Sequence, residues 1–72
     1  MSKIVVNSEI LAGKPIIEGT RISAEFILEL LSSGMTIDEI IREYPHLTKE
    51  DILASIKYAV NVIKNEEVYS LE

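Results

Sequence analysis

Met35-Thr36-Ile37-Asp38-Glu39-Ile40-Ile41-Arg42-Glu43-Tyr44-Pro45-His46-Leu47-Thr48-Lys49-Glu50-Asp51-Ile52 packs two helix starts and one helix stop into a single stretch. Thr36 and Thr48 are N-cap residues, because a hydroxyl oxygen can accept an orphan N–H of the first turn. Three residues on, Glu39 and Asp51 can return the favour to the cap backbone and close a capping box. Met35 and Leu47 precede the caps, and Ile40 and Ile52 take the fourth helical position. Such a pair is a hydrophobic staple that fixes the angle at which the chain enters a helix. Pro45 ends the first of these helices. Only Tyr44-Pro45-His46-Leu47 separates it from the next, and a turn that short predicts a helix-turn-helix unit.

The same grammar recurs upstream. Ser23 is a cap, Ile22 precedes it and Ile27 stands at the fourth position. Phe26, Ile27, Leu30 and Leu31 follow helical spacing, and Gly34 suits the left-handed residue that closes a helix. Downstream, Ile52, Ile56, Val60 and Ile63, joined by Leu53 and Ala59, predict the core seam of a longer third helix. Before Ser23 the period changes. Ile4-Val5-Val6 and Pro15 to Ile17 are short extended pieces, and Glu18-Gly19-Thr20 is a turn signal. The expected fold class is mainly α, one domain over 1–72. It comprises a short N-terminal β arm with turns over 1–22, a three-helix helix-turn-helix unit over 23–65 and an acidic tail over 66–72.

Composition narrows the function. With 72 residues, 47% of them hydrophobic and no cysteine, the chain has much apolar surface and little interior. Such a chain tends to complete its core against a second copy, so a homodimer is expected. The lack of cysteine fits a reducing compartment, and no apolar run approaches a membrane span or a signal sequence. A cytoplasmic protein without a membrane partner is therefore expected. The net charge of −5 argues against general affinity for nucleic acid. Any DNA contact must be local: Lys49, Ser55 and Lys57 at the third helix, with Glu50 beside them, and Lys14 or Arg21 from the arm.

Nothing predicts catalysis. Cysteine is absent, His46 is the single histidine, and the acids fall on helix faces and first turns where they complement the dipole. No enzyme activity, cofactor or metal is expected. Gly13 and Gly19 serve turns, since no phosphate-loop pattern surrounds them. Tyr44 is expected to pack the turn. Arg21, the single arginine of the arm, is expected to anchor it as a fork on Glu39, Glu43 or helix carbonyls.

Gly13-Lys14-Pro15, Gly19-Thr20-Arg21-Ile22, Leu31-x-x-Gly34, Ile37-x-x-Ile40-x-x-x-Tyr44-Pro45-x-Leu47-Thr48 and Asp51-Ile52 together resemble domain of unknown function 433. The likeness covers roughly residues 3 to 63. It implies a homeodomain-like helix-turn-helix fold behind a short β arm. It also implies an antitoxin-type regulator of a type II toxin–antitoxin system, binding a PIN-like ribonuclease toxin and, on the same reading, operator DNA. The alternative is a homodimeric interaction module that keeps the scaffold without binding DNA.

Two surfaces follow. Tyr58 and Val62 form a second apolar stripe on the third helix and, with Ile4, Val5 and Val6, are expected at a two-fold interface. The tail couples Glu66, Glu67 and Glu72 to the apolar Val68, Tyr69 and Leu71. Those three are expected to dock on the toxin while the glutamates meet its basic rim.

Overall fold

The computed structural model describes residues 3–67. Strand β1 (Ile4–Val6) pairs antiparallel with β2 (Pro15–Ile17), and three helices follow: α1 (Ala24–Ser32), α2 (Ile37–Glu43) and α3 (Lys49–Glu67). This is the mainly helical fold with a hairpin arm that the sequence predicts. Helix α3 runs two residues past the expected boundary at 65, within the usual fraying of helix ends.

Each helix starts where its cap predicts. Ser23 Oγ accepts from the Phe26 N–H at 2.9 Å. Thr36 and Glu39 form a complete capping box, with bonds of 2.9 and 3.1 Å. Thr48 and Asp51 form a second, again at 2.9 and 3.1 Å. At the end of α1, Gly34 has φ +105, the Gly34 N–H donates to Leu31 and the Met35 N–H to Leu30. That is a Schellman closure, which satisfies carbonyls that a helix end leaves orphaned.

The staple residues Ile27, Ile40 and Ile52 are each fully buried, and all three lie in one cluster with Ile17 and Leu47. Ile22 and Met35, the residues before the first two caps, pack against the same cluster. Local entry angles and the global core are therefore set by the same side chains. Tyr44 packs here too, edge-on to Phe26 with ring centroids 5.7 Å apart.

Strand β2 is buried on both faces. Ile17 joins the core, while Ile16 faces the other way at 1% exposure. The turn after it is closed by the Thr20 N–H and hydroxyl, which both donate to the Ile17 carbonyl, with Gly19 at φ +85. The loop before it holds a surprise: Leu11 and Ala12, as well as Gly13, adopt left-handed backbone angles. Two side-chain-bearing residues in that region cost roughly 1–2 kcal/mol each.

The apolar seam of α3 departs from expectation. Ile52 is buried and Ile56 half-buried, but Leu53, Val60 and Ile63 are exposed. Leu53 lies about 100° round the helix from Ile52, on the flank of the core face, and for Val60 and Ile63 the reason is length. At 1.5 Å per residue, α3 spans about 28 Å, against about 14 Å for α1 and about 10 Å for α2. From Val60 to Asn65 every side chain of α3 is exposed among the described residues.

Truncating a staple residue should be far costlier than removing a cap. Ile27→Ala, Ile40→Ala or Ile52→Ala should each cost about 2–5 kcal/mol, and Thr36→Ala about 1 kcal/mol. Urea unfolding followed by circular dichroism reads the difference directly.

Candidate interaction surfaces

The start of α3 carries the residues expected to read DNA. Lys49 and Glu50 are exposed side by side, so opposite charges sit at the tip. The Asp51 carboxylate is engaged by the Thr48 N–H. Ser55 is fully buried, and its hydroxyl donates to the Asp51 carbonyl one turn back at 3.2 Å. Ser55 is thus a core residue and cannot touch a ligand, which corrects its place among the DNA contacts. A serine is tolerated in the interior because bonding to the i−4 carbonyl satisfies the hydroxyl. Lys57 is exposed two turns further on.

The arm offers Lys14 and Arg21. Lys14 Nζ lies 3.2 Å from Glu25 Oε1, with both side chains more than half exposed, so the pair contributes little stability. Arg21 is exposed and makes no ion pair or hydrogen bond among the described residues. The expected fork to Glu39 does not form: Glu39 Oε1 closes the α2 capping box, and Arg21 and Glu39 line different surface depressions. Glu43 instead lines a shallow pocket with Met35, Glu39 and Arg42.

Arg21 stands on the rim of an open groove of about 1000 Å³ on the hairpin face opposite the core. Val5, Ile10, Ile16 and Ile22 contribute its apolar part, and His46 reaches it from the turn between α2 and α3. The sequence signals neither the groove nor the meeting of Arg21 with His46, which are 25 residues apart. Among the described residues no three His, Cys, Asp or Glu side chains gather as a metal site. No described helix is long and apolar enough to cross a membrane.

The second half of α3 exposes several large apolar side chains. Tyr58, Val60 and Val62 are each more than a third exposed, and Ile63 is 55% exposed. Tyr58 and Val62 are therefore exposed as one stripe, while Leu53, Val60 and Ile63 form a second stripe on the other flank of the helix. On the arm, Val6 is 67% exposed while Ile4 and Val5 are half-buried. Val68, Tyr69 and Leu71 lie outside the described residues.

The sequence pattern of the family described as "Protein of unknown function (DUF433)" matches residues 4–59, which span the hairpin, α1, α2 and the first half of α3. The chain belongs to this family. No curated protein and no solved structure matches it. The DUF433 match takes in Arg21, His46 and Tyr58 and stops just short of Val60.

Because Arg21 is exposed and unpaired among the described residues, Arg21→Ala should change stability by no more than about 0.5 kcal/mol. A thermal melt shifted by several degrees would instead restore a structural anchoring role.

Proposed function

We propose that this protein is a homodimeric protein-binding module on a helix-turn-helix scaffold, acting in the cytoplasm as an antitoxin-type regulator of a PIN-like ribonuclease. One observation carries the reading: the second half of α3 stands clear of the core with Tyr58, Val60, Val62 and Ile63 exposed. Tyr58 with Val62, and Val60 with Ile63, form two exposed apolar stripes, and grouped apolar side chains mark a protein contact where isolated ones would need no explanation. The family resemblance supplies the toxin as partner, and Val68, Tyr69 and Leu71 are the segment proposed to dock on it.

DNA binding is the second reading. It is favoured by Lys49 and Lys57, both exposed on α3. It is opposed by Glu50 beside Lys49, by the loss of Ser55 to the core and by a net charge of −5. With so few cations, few phosphates are neutralised per subunit, and binding would be weak without a second half-site.

Sedimentation of wild type and a Val60→Asp, Ile63→Asp double variant tests the leading reading. Wild type should be a dimer at micromolar concentration, and the variant a folded monomer. A wild-type monomer defeats the α3 interface, and a double variant that still dimerises excludes the Val60–Ile63 face and leaves the contact to Tyr58 and Val62. Mobility-shift titration of Lys49→Ala, Lys57→Ala against the DNA upstream of the gene tests the second. Unchanged operator binding would exclude α3 as reader.

A further inference from the structure

The hydrogen-bond phase of the hairpin decides which backbone groups of β1 are free. The register pairs Ile4 with Ile17, Val5 with Ile16 and Val6 with Pro15. Just outside it, the Glu18 N–H donates to the Lys3 carbonyl at 2.8 Å. Bonded and non-bonded pairs alternate in an antiparallel ladder. Val5–Ile16 is therefore the next bonded pair, and Ile4–Ile17 and Val6–Pro15 are non-bonded. Two facts agree with this phase. The Ile17 N–H donates away from β1, to the Ile22 carbonyl at 3.0 Å. Pro15, which has no N–H, occupies a non-bonded place.

The N–H and C=O groups of Ile4 and Val6 consequently point away from β2. On the other side β2 is bridged to Ser23, so the free edge of this two-stranded sheet belongs to β1. Nothing among the described residues pairs with it.

We propose that this edge pairs with β1 of a second copy, antiparallel about a two-fold axis that passes through Val5. Only this register bonds all four outward groups within the strand itself. Ile4 lies opposite the partner's Val6, Val6 opposite the partner's Ile4, and the two Val5 residues face each other as a non-bonded pair. The occupant is a second copy because the edge is self-complementary. It carries no charge, proline or bulge, the usual devices against edge pairing. In this register β-branched side chains meet across the axis, and Lys3 falls opposite the partner's Asn7, so like charges stay apart. Three-residue strands cannot hold a dimer alone. Strand β1 packs on α3, however, whose exposed apolar half supplies further surface to bury. The inference rests on the homodimer proposed above and adds to it the register and axis.

The test is disulfide trapping in a chain that has no native cysteine. Residues of a non-bonded antiparallel pair have Cα atoms about 4.5 Å apart, within the range that a disulfide spans. Val5→Cys should therefore oxidise to a covalent dimer. Val6→Cys should not, because the two copies of residue 6 are offset by two positions, about 8 Å from the strand spacings. Val6→Pro supplies a second readout: it deletes one outward N–H per copy while sparing the hairpin's own bonds. It should weaken self-association about tenfold or more with the helical signal unchanged. A wild-type dimer whose Val5→Cys form stays reduced, or whose Val6→Cys form crosslinks equally well, overturns this register and leaves the α3 dimer standing. A wild-type monomer overturns both, and Val5→Cys that still crosslinks when combined with Val60→Asp, Ile63→Asp supports the strand contact while excluding the Val60–Ile63 face.

Discussion

Three isoleucines, each at the fourth position of its helix, meet in one cluster, and most of the structure depends on that meeting. Ile27, Ile40 and Ile52 are fully buried together. Each belongs to a staple that sets a local entry angle, so the fold has no separate layer of tertiary instructions between helix start and core. Burying one such side chain is worth about 1.5–3 kcal/mol. A cap bond adds about 1 kcal/mol. In a domain this small those contributions are a large share of the net stability, which explains why the same device is used three times.

A core organised around helix starts has a cost at the helix ends. Helices α1 and α2 are short and α3 runs on beyond them, so beyond Ala59 its side chains through residue 65 are exposed among the described residues. The hairpin repeats the pattern on the other side. One face seats Ile17 in the core, and the other floors an open groove with Val5 and Ile16. Apolar residues make up 47% of the chain, more than the buried cluster consumes. The surplus is concentrated on α3 and the arm, which is the distribution expected of an interface.

What the sequence made legible was whatever rests on a few neighbouring residues. Caps, staples, the Gly34 closure, the Pro45 stop and both strands fall where local chemistry puts them. What it did not reveal depends on elements distant in the chain. Helical spacing groups Leu53, Val60 and Ile63 with Ile52 and Ile56, but cannot say where α1 and α2 stop covering them. Ser55 reads as a surface residue by its polarity alone, although its spacing from Ile52 and Ala59 puts it on the core face, where bonding to the Asp51 carbonyl satisfies it. The fork from Arg21 to Glu39 does not form because the two line different depressions, a separation that depends on how the arm docks on the helices. The left-handed run at Leu11 and Ala12 had no signal, since neither residue favours that region and only the loop's closure onto β2 imposes it.

The charge of the chain gives the two functional readings opposite responses to salt. Each of two copies carries a net −5, so they repel over the Debye length, and uncharged contacts, apolar burial with strand pairing, must hold them together. Added salt screens that repulsion and leaves the apolar contact intact. Self-association should therefore tighten as sodium chloride rises from about 0.01 M to about 0.15 M, where the screening length falls from about 30 to about 8 Å. DNA binding through Lys49 and Lys57 must weaken over the same range, because counterion release loses its driving force. Sedimentation equilibrium and mobility shift run across one salt series separate the two. A dimer that dissociates with salt would mean that ion pairs rather than Tyr58, Val60, Val62 and Ile63 hold the interface, and the apolar reading of α3 would fall with it.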